Sequence, residues 1–144
     1  MVDAIKGFQG EYRWLSNFYP CQIEYKGLVY PSTENAYQAM KFDIANRSKF
    51  TLCSAAVAKK LGSTKPIETP DWEIIKYLIM WEVNCLKYEI PSFREKLLAT
   101  GNAYIEETNN WGDTNWGVCN GVGNNHLGHI LMGIRQDIVD AVTT

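Results

Sequence analysis

The segment TENAYQAMKF, residues 33–42, sets three polar side chains into a stretch that otherwise has the pattern of an ordinary helix. Because a helix turns by about 100° per residue, Glu34, Gln38 and Lys41 fall on one stripe. The other side of this helix carries apolar residues, namely Ala36, Tyr37, Met40 and Ile44. The stripe is therefore either a solvated helix face or one half of an active site.

Glu34 and Lys41 stand two turns apart, about 10 Å along the helix axis, so they cannot form the ion pair typical of residues spaced by four. A small substrate would fit between them. Charged residues are mostly exposed in proteins, which favours a solvated face. The many apolar residues of the segment oppose that interpretation, because they leave little of the helix plainly facing solvent.

Capping and turn residues predict the elements around this segment. Ser32 follows Pro31 and can cap a helix from Thr33 to about Ile44. Upstream, CQIEY and LVYPS flank Lys26-Gly27, which predicts a short hairpin. Downstream, Ser54 can cap the helix SAAVAKKLG, which is expected to end at Gly62.

The second half of the chain predicts three more helices. Asp71 is expected to start the longest one, which would run towards Pro91, and Ser92 with Glu95 forms a capping box opening FREKLLAT, closed by Gly101. YIEET is a candidate short strand, and residues 108–124 are expected to form a long loop. Asn125 is expected to cap a final helix with one apolar face, made of Leu127, Ile130, Leu131, Ile134 and Ile138.

These elements predict a single domain over residues 1–144, mainly α, with a small β-ribbon from the N-terminal region. No alternation of strand, helix and strand appears, which argues against a doubly wound sheet. The 144 residues are enough to bury one core, and 46% hydrophobic with 21% charged residues is an ordinary globular balance.

The charge pattern limits the partners. A formal net charge of -2 provides no global positive field for a nucleic-acid backbone or an anionic membrane. The chain has neither a signal-peptide pattern nor a run of about eighteen apolar residues, so we expect a cytoplasmic protein without a membrane partner. The four cysteines form no CxxC pair, so reduced thiols are expected rather than a zinc site.

A second candidate site is the run NNWGDTNWGVCNGVGNN, residues 109–125. Trp111 could stack on a base or ribose, or simply plug the core, and Asp113 could act as a general base or bind a hydroxyl group. Gly121, Gly123 and the backbone before Asn125 could form a phosphate nest at a helix N-terminus, although GVGNNH is not a dinucleotide-binding fingerprint.

A third candidate is GEYRWLSNFYP, residues 10–20. Arg13 could pair with a phosphate, and Ser16 and Asn17 offer the hydrogen bonds of a turn. The same stretch could instead be an aromatic-packed loop. His126 and His129 lack a third ligand in the sequence, so no metal site is predicted, and no Ser/His/Asp or Cys/His set is legible.

Three pieces in this order, YRWLSNFYP, YPSTENAYQAMKF, and WGD followed by a Gly-rich run and NHLGHILMGIR, resemble the NADAR family, also called YbiA-like. The resemblance spans nearly the whole chain. It implies a compact, orthogonal, mainly α domain that binds ADP-ribose or a related ribosyl phosphate and cleaves an N-glycosidic bond without a cofactor. Members of the family act on early ribosylaminopyrimidines of riboflavin synthesis or remove ADP-ribose from guanine in DNA.

Matching motif by motif, the resemblance implies roles for particular residues. The acidic residue of the family falls on Glu34 and the lysine after it on Lys41. Residues implied in substrate binding are Ser16, Asn17, Phe18, Trp72, Trp111 and Gly112, beside the carboxylate of Asp113. The sequence departs from the family at Asn35, where many relatives carry His, and at His126 and His129.

Breaking a bond between nitrogen and an anomeric carbon develops positive charge on the sugar, which a carboxylate can stabilise. We expect Glu34 and Asp113 to do this carboxylate work and Gln38 to assist binding, with residues 34, 41 and 113 around one cavity. Lys41, if burial lowers its pKa, could trap an opened sugar as a Schiff base.

Two other classes of function remain open. A non-catalytic module for ADP-ribose or a nucleotide would need the aromatic residues and the phosphate nest but not an acid and an amine together. A purely structural protein would leave the polar stripe without a purpose. ADP-ribosylated DNA would have to be held by local cations such as Arg13, Lys59 and Lys60, whereas a small ribosyl phosphate would not need them.

Overall fold

The computed structural model describes residues 2–143. The helices and strands follow one another as β1 (Ala4–Lys6), β2 (Ile23–Tyr25), β3 (Leu28–Tyr30), α1 (Thr33–Ala39), α2 (Ala55–Thr64), α3 (Trp72–Lys87), α4 (Pro91–Ala99), β4 (Tyr104–Glu106), β5 (Thr108–Asn109), β6 (Val118–Cys119) and α5 (His126–Thr143). Short 3-10 helices occupy Gly10–Leu15, Ile44–Asn46 and Ser48–Thr51. With 51% of residues helical and only two-stranded sheets in the described part, the predicted mainly α class is confirmed.

The chain divides into two compact units. The terminal unit comprises Met1–Ser16 and Tyr88–Thr144, and the central unit comprises Asn17–Lys87. The central unit holds the hairpin β2–β3 and helices α1 to α3. The terminal unit holds β1, the helices α4 and α5, and the strands between them.

The hairpin of the central unit forms as predicted. β2 and β3 pair antiparallel with Ile23 opposite Tyr30. The turn residues Lys26 and Gly27 have φ angles of 51° and 87°, as a two-residue turn with positive φ at both positions requires. Tyr25, Ile23 and Tyr30 form the buried face of the hairpin.

Helix α1 is capped by Ser32 as predicted, since the Asn35 amide donates to the Ser32 Oγ at 3.0 Å. The helix ends at Ala39, so the prediction that it runs to Ile44 is wrong. The amides of residues 40–42 donate to carbonyls three residues back, which tightens the last turn. The Lys41 carbonyl then accepts from two amides of a distant loop, at residues 68 and 69, and the chain leaves the helix.

Helix α2 is also capped by the predicted serine, because the Val57 amide donates to the Ser54 Oγ at 3.2 Å. It runs to Thr64, so the predicted end at Gly62 is wrong. Gly62 does not have a left-handed φ and lies buried inside the helix. Helix α3 starts immediately after Asp71 as expected, but α5, with 18 residues against 16, is the longer helix.

In the terminal unit, β1 and β4 pair in parallel, which confirms the predicted strand in YIEET. The capping box predicted for α4 is wrong, because Pro91 itself takes the first helical position and Ile90 is the N-cap residue. The end of this helix is as predicted. Gly101 has a φ of 63°, and its amide donates to the Leu98 carbonyl at 3.0 Å.

Helix α5 buries Leu127, Leu131 and Ile134, as its apolar face predicts. The predicted cap at Asn125 is wrong. The Asn125 side-chain oxygen accepts from the Glu107 amide at 3.0 Å, and its Nδ2 donates to the Ile105 carbonyl at 2.9 Å. Asn125 thus ties the start of α5 to β4 rather than capping the helix.

No helix in residues 2–143 is both long enough and apolar enough to cross a bilayer. The four cysteines, all in the described part of the chain, form no disulfide.

A buried lysine at the end of α3 makes the stability of the central unit depend on pH. The Lys87 side chain has no exposed surface, and burial lowers its pKa to about 8. In the unfolded chain a lysine keeps its proton up to a pKa of about 10.4. Between these two values the unfolded state therefore binds more of the Lys87 proton, and the contribution of Lys87 to the free energy of unfolding rises with pH.

We predict that Lys87→Met removes this rise, which has a limiting slope of about 1.4 kcal/mol per pH unit. The measurement is urea unfolding of the full chain between pH 7.5 and 10, with Lys65→Met as the control because Lys65 is exposed. The unfolding free energy of wild type minus that of Lys87→Met should increase with pH. The same quantity for Lys65→Met should stay constant. Parallel curves for wild type and Lys87→Met would contradict the prediction.

Candidate active site

The polar stripe of α1 is buried. Glu34 is 7% exposed and Gln38 is 4% exposed, so the interpretation of the stripe as a solvated face is wrong for these two residues. The Gln38 Nε2 donates to the Glu34 Oε2 at 2.6 Å. The helix turn thus brings a carboxylate and an amide together inside the central unit.

Lys41 lies two residues beyond the end of α1 and is half-buried. Its Nζ donates to the Gly62 carbonyl at 3.3 Å and stands 5.9 Å from the ring centroids of both Tyr37 and Trp72. Burial lowers the pKa of this amine, and the carboxylates of Glu34 and Glu73 oppose that shift. A larger fraction of the amine is therefore neutral and nucleophilic than in an exposed lysine.

Two aromatic rings form a wall beside the Lys41 amine. The rings of Tyr37 and Trp72 pack with centroids 5.2 Å apart at an interplanar angle of 55°. Trp72 is the first residue of α3 and is 6% exposed. Asp71, directly before it, has a φ of 56°, a left-handed conformation that Asp tolerates better than most residues. The turn at Asp71 therefore positions the Trp72 indole beside the Lys41 amine.

The SNF turn is divided between the units, with Ser16 in the terminal unit and Asn17 and Phe18 in the central unit. Asn17 is buried and holds the start of α1. Its carbonyl accepts from the Glu34 amide at 3.1 Å, and its Oδ1 accepts from the Thr33 Oγ1 at 2.8 Å. Phe18 is 40% exposed, and the Lys59 Nζ lies 5.7 Å from its ring centroid.

Arg13 and Ser16 close the 3-10 helix of the terminal unit, where the Ser16 amide donates to the Arg13 carbonyl at 3.0 Å. The Arg13 side chain is exposed. The roles in ligand binding expected for Arg13 and for the SNF turn remain predictions.

Asn35 is a structural residue that the sequence did not predict. Its side chain is fully buried, and its Nδ2 donates to the carbonyls of Phe50 and Cys53, both at 2.9 Å. The amide thus ties the irregular segment after α1 to the helix. In the sequence, a polar residue directly after Glu34 in a segment rich in apolar residues indicates that this side chain could be buried and hydrogen-bonded.

The tryptophan-rich run of the terminal unit is more ordered than predicted. Residues 108–124 contain a parallel pair, β5 with β6, so the prediction of one irregular loop is wrong for those strands. Asn109 holds the run together, and the sequence analysis missed it. Its Nδ2 donates to the Asp113 carbonyl at 2.8 Å, and its Oδ1 accepts from the amides of Trp111 and Asp113 at 3.3 and 3.1 Å.

The side chains predicted for catalysis and stacking in this run have different surroundings. The Asp113 Oδ1 accepts from the amides of Asn115 and Trp116 at 3.0 and 2.9 Å, so this carboxylate shapes its own turn. Trp111 is 57% exposed and is followed by Gly112 with a φ of 89°. The expectation that Asp113 acts together with Glu34 and Lys41 remains a prediction.

Several backbone amides before α5, where the phosphate nest is expected, already donate hydrogen bonds. Gly121 has a φ of 77° in a tight turn in which the Val122 amide donates to the Cys119 carbonyl. The amides of residues 124–127 all donate to carbonyls of the same run, at 2.8 to 3.2 Å. A phosphate bound there would have to displace those bonds. Binding roles for Gly123 and Asn125 remain predictions on the same terms.

No group of three His, Cys, Asp or Glu side chains that could hold a metal ion occurs within residues 2–143. The two histidines of α5 each pack against an aromatic ring. His126 lies 6.2 Å from the Trp116 ring centroid, and His129 lies 6.4 Å from that of Tyr104.

Comparison with known proteins places these residues in a family. The model of the NADAR domain matches residues 6–139. The N-glycosidase YbiA of Escherichia coli (strain K12) is 33% identical over 150 residues, covering 96% of this chain and 91% of that protein. The NMR structure of E. coli YbiA superposes with a TM-score of 0.87 at 31% identity over 99% of this chain and 89% of that one, which confirms the fold expected from the resemblance.

A second relative carries the domain within a longer chain. The riboflavin biosynthesis protein VVA0006 of Vibrio vulnificus (strain YJ016) is 32% identical over 133 residues. The match covers 87% of this chain but only 35% of that protein.

We predict that Asn109→Ala lowers the free energy of unfolding by about 2 kcal/mol, because it leaves backbone groups of the run without their partner. The matched control is Asn110→Ala, since Asn110 is exposed and a surface substitution changes stability by less than about 0.5 kcal/mol. Urea unfolding of both variants measures the difference. Equal effects of the two substitutions would show that Asn109 does not organise the run.

Proposed function

We propose, on the premise that the chain belongs to the NADAR family, that it is an N-glycosidase that cleaves the bond between a nitrogen and the anomeric carbon of a phosphorylated ribose. Relatives that match it along most of their length carry the name N-glycosidase. The single observation that carries the proposal is the buried carboxylate of Glu34, in the first turn of α1, together with the partly buried amine of Lys41, which lies two residues beyond the end of that helix and whose pKa the charge of Glu34 affects.

Glu34 suits the charge that this reaction develops. As the nitrogen leaves, positive charge grows on the anomeric carbon and the ring oxygen. A fixed carboxylate in a site of low dielectric stabilises that charge more strongly than one in water, because little solvent must reorganise. The bond from the Gln38 Nε2 fixes the orientation of the carboxylate before the substrate arrives.

Lys41 gives the reaction a covalent route. An N-riboside in which the ring opens becomes an imine between the anomeric carbon and the nitrogen of the base. The neutral Lys41 amine adds to that carbon, the nitrogen of the base takes the proton and leaves with the bonding electrons as an amine, and a Schiff base to Lys41 remains. Water then adds to the same carbon, releasing the free sugar and restoring the lysine.

The aromatic wall supports this role of the lysine. The rings of Tyr37 and Trp72 flank the amine and can stabilise its protonated form by cation–π interaction. Burial favours the neutral form, so the site accommodates both forms of Lys41. An amine that must lose and regain a proton during turnover needs such a balance.

We propose that the substrate is a ribosylaminopyrimidine phosphate. Two relatives carry names that refer to riboflavin biosynthesis, in which such compounds are intermediates. The exocyclic amine of a ribosylaminopyrimidine allows the ring opening that the Lys41 route requires. The net charge of -2 also favours a small substrate over a long nucleic acid.

We predict that Glu34→Gln lowers kcat/KM by roughly 100-fold or more while binding changes little, because an amide cannot stabilise the growing positive charge. The assay incubates the protein separately with a ribosylaminopyrimidine phosphate and with DNA carrying ADP-ribosylated guanine, and measures the released products. Glu24→Gln, on an exposed position of β2, is the control and should behave as wild type.

The same assay separates the alternatives. A non-catalytic binding module would bind ligand equally in both forms and release no product in either. Release of ADP-ribose from DNA alone would reject the proposed substrate but keep the N-glycosidase.

We predict that sodium borohydride added during turnover reduces the Schiff base and leaves a stable sugar adduct on Lys41. Mass spectrometry of the digested protein locates it. Lys41→Met should abolish the adduct, whereas Lys65→Met, which removes an exposed lysine of the same unit, should retain it. Full activity without any adduct would exclude the covalent route and leave the role of Glu34 untouched.

A further inference from the structure

We infer that Gly62 of α2 is a positioning residue for the site, and that its missing side chain lets Gln38 hold Glu34. The inference rests on the proposed function, since it assigns Gly62 a purpose in that chemistry. It concerns the space that the missing side chain leaves for Gln38.

Gly62 faces the amide of Gln38 across the contact between α1 and α2. A Cβ built at residue 62 would lie 2.7 Å from the Gln38 Cδ and would overlap the Gln38 Oε1. The Gln38 Oε1 is buried and accepts no hydrogen bond from the described residues. The amide is thus held with its donor on Glu34 and its acceptor against the bare backbone of Gly62.

The backbone does not require a glycine at this position. Gly62 lies inside a helix and its φ is outside the left-handed range, so the backbone there accepts alanine. Alanine is more favourable than glycine inside a helix by about 1 kcal/mol. The glycine therefore makes the helix locally less stable than alanine would. The structural reason for a glycine here is the space that it leaves for the Gln38 side chain.

Gly62 also contacts the second group of the site, because its carbonyl accepts the bond from the Lys41 Nζ. One residue of α2 thus bounds both polar side chains that follow Glu34 on the stripe. In Gly62→Ala the amide of Gln38 must swing aside. It can do so at small cost to folding, because the overlapping atoms are at the end of a flexible side chain. The bond to Glu34 would then be lost.

The test is a double-mutant cycle of Gly62→Ala and Gln38→Ala in the full chain. We expect Gly62→Ala alone to lower kcat/KM roughly 10- to 100-fold, as a displaced site group does. Without the Gln38 donor, ionised Glu34 is less favoured, so the acid limb of the pH profile should move to higher pH. In the Gln38→Ala background, Gly62→Ala should change kcat/KM and the pH profile by less than about twofold.

Gly133→Ala is the matched control. Gly133 also lies inside a helix, and a Cβ built there would have no heavy atom within 4 Å. It should therefore leave both the rate and the pH profile as in wild type. Equal losses from Gly62→Ala in both backgrounds would overturn the inference, because they would show an effect that does not pass through Gln38.

A second measurement keeps the inference independent of catalysis. The titration of the Glu34 carboxyl, followed by NMR of the chain with ¹³C-labelled glutamate and assigned with Glu34→Gln, should shift to higher pH in Gly62→Ala. It should shift no further when Gly62→Ala is added to Gln38→Ala. An unchanged titration overturns the inference. A wild type without N-glycosidase activity overturns only the proposed function, since the titration still decides on Gly62.

Folding of the variants is checked by circular dichroism. If Gly62→Ala does not fold and Gln38→Ala restores folding to the double variant, the contact is supported. If the double variant also fails to fold, the role of Gly62 is general packing and the inference is wrong.

Discussion

The burial of helix α1 is the constraint on which the central unit depends. All seven residues from Thr33 to Ala39 are buried, although four of them carry polar side chains. A buried polar group destabilises a fold unless it is hydrogen-bonded. The helix is stable in this place because Ser32, Asn17 and two carbonyls of the following segment supply those bonds. Polar contacts thus fix where α1 lies more closely than apolar packing alone would.

The same burial defines the surroundings of the groups to which the proposed chemistry is assigned. The Glu34 carboxylate lies where water does not screen it, with a fixed donor 2.6 Å away. Lys41 lies beyond the end of α1, where its carbonyl accepts from the amides of residues 68 and 69. Its amine donates to the Gly62 carbonyl and lies beside the rings of Tyr37 and Trp72. The surroundings of the amine are therefore set by α2 and α3 as well as by α1.

The sequence predicts local elements well where one short signal is sufficient. Lys26-Gly27 specifies its hairpin turn, and Ser32 and Ser54 each cap the expected helix. It fails where a distant partner decides. A glycine such as Gly62 is typical of a helix end, but here it lies inside the helix. The space left by its missing side chain is occupied by Gln38 of another helix. Asn125 has the position of a cap, but its side chain bonds to a strand twenty residues earlier.

The site could be predicted only in part for the same reason. The stripe of Glu34, Gln38 and Lys41 follows from helical spacing, and the resemblance to a family supplies their chemical meaning. Their burial does not follow from spacing, because it depends on the packing of α2 and α3 around α1. The supporting asparagines also escape, since Asn35 and Asn109 resemble ordinary turn residues in sequence.

Those asparagines explain how a small fold keeps irregular segments in place without adding charge near its carboxylates. A carboxamide both donates and accepts, so one buried side chain can bond to carbonyls and amides of the same segment. Asn35 uses both donors on two carbonyls, and an aspartate there would set a negative charge against those oxygens. At Asn109, whose Nδ2 donates to three backbone carbonyls and whose Oδ1 accepts from two amides, an aspartate would keep only the acceptor half. A neutral amide is therefore a side chain that orders both segments without adding a buried charge.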